Sequence, residues 1–161
     1  MPETRDGAAR VHRYTATCAW SGSTAAGYDA YDRAHAGTVP PVPGELALSS
    51  DPAFGGDPAR MNPEQLLVLA ASSCQLLSFL AVAARARLDV RAYRDEAEGV
   101  MPEDDRPLRI TEIVLRPRIV VGPGPPEERV RGLVESAHRL CFIASSLRTD
   151  VRVEPEIEIE S

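Results

Sequence analysis

Apolar residues are concentrated in one long stretch of the chain, Asn62 to Leu88, which predicts a single long helix at the centre of the fold. Asn62 suits the N-cap, Pro63 suits the first helical position, and Gln65 stands where a capping box needs it. From there to Arg85 the apolar side chains leave almost no polar face, so we expect this helix to be covered on all sides. One small sheet cannot cover it, which predicts self-association as a two-fold homodimer.

Shorter stretches in which apolar and polar residues alternate predict strands. Before the long helix they are Val11–Trp20, Tyr28–Val39 and the short run Glu45–Ser50. After it, the strands are Leu88–Met101 and Leu108–Val121, which form a hairpin about the turn Pro102–Pro107, and the closing strand Val151–Glu160. The two-residue period of the second strand predicts one polar and aromatic face, made of Asp29, Tyr31, Arg33 and His35. The loop Asp51–Arg60, rich in Gly and Pro, leads to the long helix.

A second helical pattern covers Glu127 to Leu147 and places Cys141 on its apolar stripe. The apolar positions with helical spacing are Val130, Leu133, Val134, Ala137, Leu140 and Cys141. The order of elements predicts an α+β fold with helices on one side of an antiparallel sheet. We expect one domain over residues 1–161, with residues 1–10 as a loose tail.

Composition excludes several classes of function. All 18 basic residues other than histidine are arginine, so Schiff-base chemistry, a Walker-type phosphate loop and a Ser–Lys mechanism are excluded. The net charge of -6 and the lack of a basic patch argue against a nucleic-acid partner. The polar amino terminus and the serines that interrupt the longest apolar run predict neither secretion nor a membrane span. We therefore expect a cytoplasmic protein.

Three cysteines, Cys18, Cys74 and Cys141, are the candidates for chemistry. In a reducing compartment, a disulfide between any two of them is expected to be transient and redox-active rather than structural. Apart from His138 and Cys141, the cysteines and histidines show no close ligand pair, so we expect no metal and no cofactor. For a single cysteine, burial as a small apolar residue is the simpler interpretation.

The two helical cysteines lie within sequence motifs that resemble those of the OsmC/Ohr family, small dimeric thiol-dependent peroxidases that reduce organic hydroperoxides. One motif is NPEQLL followed by a helical cysteine, with Glu64 ten residues before Cys74; the other is AHRLC with SSL following, Ala137 to Leu147. The resemblance extends from about Tyr14 onward. It implies antiparallel sheets around a long central helix, a second helix bearing a cysteine, and an intertwined homodimer.

The resemblance also implies a site. In the family's site, the resemblance implies that Cys74 is the peroxidatic cysteine, Cys141 the resolving cysteine and Glu64 the catalytic glutamate. For the site arginine we choose Arg33, with Arg60 as the alternative. The implied partners are an organic hydroperoxide and a dithiol reductant, either of lipoyl type or a small thiol.

The chemistry of these residue types supports such a site. A buried thiol needs a compensating cation to remain a thiolate, which an arginine supplies, and a carboxylate can fix the guanidinium by a bidentate pair. Ten helical residues place Glu64 about 15 Å from Cys74 along the axis, so one helix cannot assemble the site. Either the groups meet across a dimer interface or an arginine bridges them. Two other interpretations stay open. In one, the chain is a dimeric binding or redox-sensing protein. In the other, the cysteines are core residues without a chemical role.

Overall fold

The computed structural model describes residues 9–161, so most of the predicted tail, residues 1–8, lies outside the described residues. The chain divides into two compact units, with the boundary between Met61 and Asn62. The prediction of one domain over the whole chain stays a prediction.

The first unit contains a three-stranded antiparallel sheet with the order β1-β2-β3. Its elements are β1 (Thr17–Ala19), β2 (His35–Thr38), β3 (Leu46–Leu48) and a one-turn 3-10 helix (Pro52–Phe54). The strand predicted over Tyr28–Val39 was too long, because its first residues form turns after Gly27, which has a φ of +97°. The predicted polar face is therefore not a strand face.

The second unit begins with the long helix α1 (Pro63–Arg85), whose start has the predicted capping box. Asn62 accepts a hydrogen bond from the backbone N–H of Gln65, and the Gln65 side chain accepts one from the backbone N–H of Asn62. The buried stripe of the helix consists of Ala71, Gln75, Phe79 and Ala83.

The opposite side of α1 is open in the single chain, the side for which the sequence predicts cover by a second copy. Leu69 is 59% exposed, Leu77 63% and Leu80 39%. The helix α1 is long and apolar enough to cross a membrane, but core helices of soluble proteins can have the same length and composition.

Two three-stranded sheets, β4-β7-β9 and β5-β6-β8, complete the framework of the second unit. The strands are β4 (Val90–Asp95), β5 (Glu98–Val100), β6 (Glu112–Leu115), β7 (Pro117–Val121), β8 (Asp150–Val153) and β9 (Glu156–Ile159). The predicted hairpin is confirmed, since β4 and β7, and β5 and β6, pair antiparallel. The closing strands instead pair parallel with β6 and β7, so the sheets are mixed. A helical crossover between β7 and β8 makes parallel pairing possible.

That crossover consists of two helices, α2 (Glu127–Arg139) and α3 (Phe142–Ser146), where the sequence pattern predicts one. Leu140 ends α2, and Cys141 has the extended backbone of an N-cap residue before α3. Cys141 therefore lies at a junction between two helices. Its position is nonetheless buried, as the apolar stripe predicts.

Candidate functional site

The fold brings Cys74, in the middle of α1, close enough to Cys141, at the α2–α3 junction, for each thiol to shift the pKa of the other. Both thiols are free, Cys74 being half-buried and Cys141 buried. The sequence separates these residues widely, and their proximity results from the packing of α1 against both α2 and α3. Two free thiols placed in this way are candidates for a reversible disulfide.

Neutral hydrogen-bond donors surround the sulfur of Cys74. The backbone N–H of Ile143 points at the Cys74 Sγ, with a nitrogen–sulfur distance of 3.5 Å. Burial by itself raises the pKa of Cys74, but hydrogen bonds from Ile143, from the Cys141 thiol, from the Phe142 backbone and from the Ser78 hydroxyl together lower that pKa below its ordinary value. Such donors favour the charged form of the group that they contact. Cys74 is therefore the thiol that ionises first.

The pKa of Cys141 shifts in the opposite direction. Burial raises it, and the adjacent sulfur of Cys74 raises it further, while backbone donors at Ala144 and Ile143 only partly oppose the shift. A second negative charge beside the Cys74 thiolate is unfavourable, so Cys141 keeps its proton. Paired groups whose environments separate their pKa values have distinct chemical roles: Cys74 is suited to be the nucleophile, and Cys141 the proton-bearing partner.

Glu64 occupies the second position of α1 and is half-buried. Because Glu64 and Cys74 share one continuous α-helix, they are about 15 Å apart along its axis. Among residues 62–161, Glu64 forms no ion pair. The structure of one chain thus does not bring Glu64 to the thiol pair.

Arg33 and its alternative, Arg60, both lie in the first unit but have different partners. The Arg60 guanidinium is 3.4 Å from the carboxylate of Asp57. Arg33 instead donates to two backbone carbonyls, those of Tyr28 at 2.7 Å and Tyr31 at 3.1 Å. Within residues 9–61 it has no carboxylate partner, so its charge is not neutralised there.

Apolar side chains beside the thiol pair remain exposed. Leu77, three residues after Cys74 on α1, is 63% exposed, and Phe142, which follows Cys141, is 79% exposed. Phe79, by contrast, is fully buried and belongs to the core. A surface of this kind can contact the organic group of an apolar molecule whose polar end reaches the sulfur.

Neither the remaining thiol, Cys18, nor the nearby histidine, His138, is among the groups that shift the pKa values of Cys74 and Cys141. Cys18 is exposed on β1 in the first unit. His138 precedes Cys141 by one helical turn, but its Nδ1 is buried without a hydrogen-bond partner. Within residues 9–161, no group of three or more His, Cys, Asp or Glu side chains could hold a metal ion.

The sequence did not predict the hydrogen-bond donors to Cys74. Backbone N–H groups carry no signal of their own in a sequence, and those of Phe142 and Ile143 reach the sulfur only because the helix breaks at Cys141. Ser78 was the one donor with a sequence signal, because it lies four residues after Cys74 on the same helix.

Comparisons with known proteins agree with this fold. An OsmC-like protein of unknown function from Vibrio cholerae superposes with a TM-score of 0.81 at 29% identity, covering 91% of this chain and 100% of that chain. An organic hydroperoxide resistance protein from Legionella pneumophila superposes with a TM-score of 0.70 at 17% identity, covering 93% and 99%. The uncharacterized protein YmaD of Bacillus subtilis is 22% identical over 102 residues, which are 62% of this chain and 68% of YmaD.

The sequence model of one family matches residues 55–156, more than half of the chain, and the family is described as OsmC-like protein. The match includes both cysteines that the structure brings together. The expected relationship is thereby confirmed: the chain belongs to the OsmC-like protein family.

Proposed function

We propose that this protein is a thiol-dependent peroxidase that reduces organic hydroperoxides, with Cys74 as the peroxidatic and Cys141 as the resolving cysteine. The observation that carries the proposal is the placement of Cys141 beside Cys74: the backbone N–H of Ile143, two residues after Cys141, lies 3.5 Å from Cys74 Sγ, and the pKa of Cys74 is lowered while that of Cys141 is raised. Three structural neighbours are named as organic hydroperoxide resistance proteins, from Legionella pneumophila, Elizabethkingia anophelis and Bacillus subtilis. Their likeness concerns the fold, so the activity rests on the site.

The proposed reaction has three steps. The Cys74 thiolate attacks one peroxide oxygen, an S–O bond forms, the O–O bond breaks, and the alkoxide takes a proton and leaves as an alcohol. The Cys141 thiol then attacks the sulfur of the resulting sulfenic acid, forming the disulfide and releasing water. A dithiol, of lipoyl type or a small thiol, restores both thiols by exchange and is itself oxidised to a disulfide.

We include Glu64 and Arg33 in the proposed site. An arginine would stabilise the thiolate and the departing alkoxide, and Glu64 would orient the guanidinium through a bidentate pair. Arg33 is preferred over Arg60 because Arg60 is already paired with Asp57, whereas Arg33 has no carboxylate partner within residues 9–61. Since Glu64 lies far along α1 from Cys74, we propose that an intertwined homodimer completes the site.

The exposed leucines of α1 support the proposed dimer. Leu69 and Leu77 are each more than half exposed in the single chain, although they belong to the most apolar helix of the fold. A second copy that covers this side would bury a continuous apolar surface, which is the usual basis of a permanent interface. We further propose that the protein works in the cytoplasm, where its cysteines remain reduced between turnovers.

Steady-state consumption of cumene hydroperoxide, with dihydrolipoamide as the reductant, tests the proposed function. The parent protein should turn over many times, Cys74→Ser should lose the activity, and Cys18→Ser should keep it. A Cys74→Ser protein that turns over as fast as the parent would contradict the proposal.

The alternative is a binding or redox-sensing protein with the same fold, and the exposed apolar residues beside the thiols favour it as the second candidate. Such a protein would form the Cys74–Cys141 disulfide once but would not show sustained turnover with dithiols. The same assay therefore separates the two functions.

A further inference from the structure

Two tyrosine rings enclose the guanidinium group of Arg33. Its central carbon lies 4.1 Å from the ring centroid of Tyr31 and 4.6 Å from that of Tyr28. Both distances are well within the range of cation–π attraction. The same two residues accept hydrogen bonds from Arg33 through their backbone carbonyls, so each tyrosine holds the guanidinium twice.

The enclosure is itself braced by Trp20. The indole packs edge-on against the Tyr31 ring with centroids 6.2 Å apart, and its N–H donates to the carbonyl of Asp32 at 2.7 Å. The rings of Tyr28 and Tyr31 also meet edge-to-face, with centroids 6.2 Å apart. Ring contacts and a hydrogen bond therefore fix the residues that precede Arg33 relative to one another.

Gly55 forms a third wall. It has a φ of +78°, and a Cβ added to it would lie 2.9 Å from Nη1 of Arg33 and 3.0 Å from its Cζ. A flexible arginine would move away from such a methyl group at little cost. A guanidinium held by two rings and two carbonyls has no such freedom, so the absence of a side chain at residue 55 is needed for this pose of Arg33.

This arrangement orders a positive charge without neutralising it. Ordering a long side chain costs conformational entropy, which salt bridges commonly offset, yet Arg33 has no carboxylate partner within residues 9–61. Of its five N–H donors, two are used by the carbonyls of Tyr28 and Tyr31. Three donors remain for a group with a negative charge on oxygen.

We propose that Tyr28, Tyr31 and Gly55 are positioning residues that preorganise Arg33 for an oxyanion. The inference rests on the proposed function, in which charge moves onto the leaving alkoxide as the O–O bond breaks. A cation fixed beforehand stabilises such charge without reorganising during the reaction. The tyrosine hydroxyls take no part, because both hydrogen bonds use backbone carbonyls and the rings act through their π faces.

Matched substitutions test whether the aromatic rings of Tyr28 and Tyr31 position Arg33. Tyr28→Phe and Tyr31→Phe keep the ring, whereas Tyr28→Leu and Tyr31→Leu keep the apolar bulk and remove the π face. Each leucine variant should lower the second-order rate constant of Cys74 oxidation by cumene hydroperoxide by about two- to thirtyfold, the range of one cation–π contact. Each phenylalanine variant should restore the rate to nearly that of the parent.

Substitutions at two glycines test whether the lack of a side chain at Gly55 is needed to position Arg33. Gly55→Ala introduces both a strained φ and a contact with Arg33, whereas Gly44→Ala introduces the strain alone, since Gly44 has a φ of +95° and open space around it. Only Gly55→Ala should lower the rate constant. Alkylation of Cys74 by iodoacetamide well above its pKa should be about equally fast in all these proteins, because Cys74 is then a thiolate in each of them and no oxyanion leaves.

The outcomes separate the two proposals. If the parent and the leucine variants react equally fast with the hydroperoxide while Arg33→Ala is slow, the positioning role is overturned and the proposed function stands. If Arg33→Ala is as fast as the parent, the positioning role is overturned together with the assignment of Arg33. A parent that leaves the hydroperoxide untouched overturns both the proposed function and this inference.

Discussion

The backbone N–H of Ile143 donates a hydrogen bond to the sulfur of Cys74 across a distance of 3.5 Å, joining the α3 segment to the middle of α1. This contact exists because the helical pattern breaks at Cys141 and leaves the first N–H groups of α3 without helical partners. The break therefore places the partner thiol and the backbone donors beside Cys74 together.

The two thiols should titrate in separate steps. Cys74 has a lowered and Cys141 a raised pKa, so alkylation by iodoacetamide in a Cys18→Ser background should modify Cys74 first as the pH increases. Cys141→Ala removes the thiol donor and should raise the pKa of Cys74, whereas Cys141→Ser, which keeps a donor, should raise it less. Peptide mapping of the labelled protein measures both values. Preferential labelling of Cys141 at low pH would contradict the assignment of roles.

The same shifts set the pH dependence of folding stability. For Cys74, the lowered pKa contributes stability above the pKa of the unfolded chain, and this contribution is lost as the pH falls through the folded value. For Cys141, the raised pKa contributes stability below the unfolded value, and this is lost as the pH rises through the folded one. Urea denaturation of a Cys18→Ser protein at increasing pH should accordingly show a stability that rises as Cys74 ionises and falls as the pH passes through the folded pKa of Cys141.

Glu64 and Glu128 provide a matched pair, because each occupies the second position of its helix. Glu64→Gln and Glu128→Gln should both cost about 0.3–1 kcal/mol of stability through the helix dipole. Only Glu64→Gln should slow Cys74 oxidation by an organic hydroperoxide, by about 10- to 100-fold if its carboxylate holds the site arginine. Stopped-flow oxidation and urea denaturation measure the two effects. Equal rates in both variants would remove Glu64 from the proposed site.

The exposed side of α1 predicts an interface between two copies of the chain. Leu77→Glu places a charge where the single chain leaves Leu77 63% exposed, and it should convert a dimer into a monomer. Val42→Glu replaces a valine that is 62% exposed in the first unit and serves as the control. Light scattering after size-exclusion chromatography measures the mass. A parent that is already monomeric at micromolar concentration would exclude the proposed dimer.

Gln75 is fully buried, yet its Oε1 has no hydrogen-bond partner and its amide nitrogen is 3.5 Å from the carbonyl of Val134. Gln75→Leu removes an unsatisfied buried oxygen and one long hydrogen bond, so it should be neutral or stabilising by about 1 kcal/mol. Gln75→Glu should instead destabilise by about 3 kcal/mol or more near neutral pH, because it buries an unpaired carboxylate. Urea denaturation distinguishes these results, and a strongly destabilising Gln75→Leu would show that the amide is satisfied.

Local signals in the sequence predicted the long helix and its cap correctly. Asn62, Pro63 and Gln65 define the start of α1 through contacts among near neighbours, so the sequence contains all the information needed. The family and the α+β fold were also predicted and are confirmed. The resemblance rested on the motifs around Cys74 and Cys141, which the structure brings close together.

Features that depend on distant residues were predicted less well. The alternating pattern of Tyr28–Val39 predicted a strand. It did not predict that the backbone carbonyls of Tyr28 and Tyr31, in a turn, would accept hydrogen bonds from Arg33. The helical spacing through Cys141 likewise continued past the break, because Leu140 and Cys141 are apolar and suit either conformation. The assignments of Glu64 and Arg33 to the site remain predictions.

A thiol count with mass analysis under non-reducing conditions, before and after one equivalent of cumene hydroperoxide, tests the proposed peroxidase chemistry most directly. We expect the loss of two thiols and an intrachain Cys74–Cys141 disulfide. Cys141→Ser should stop at an oxidised Cys74, and Cys74→Ser should not react. Thiols that survive the hydroperoxide untouched in the parent protein would contradict the proposed peroxidase function.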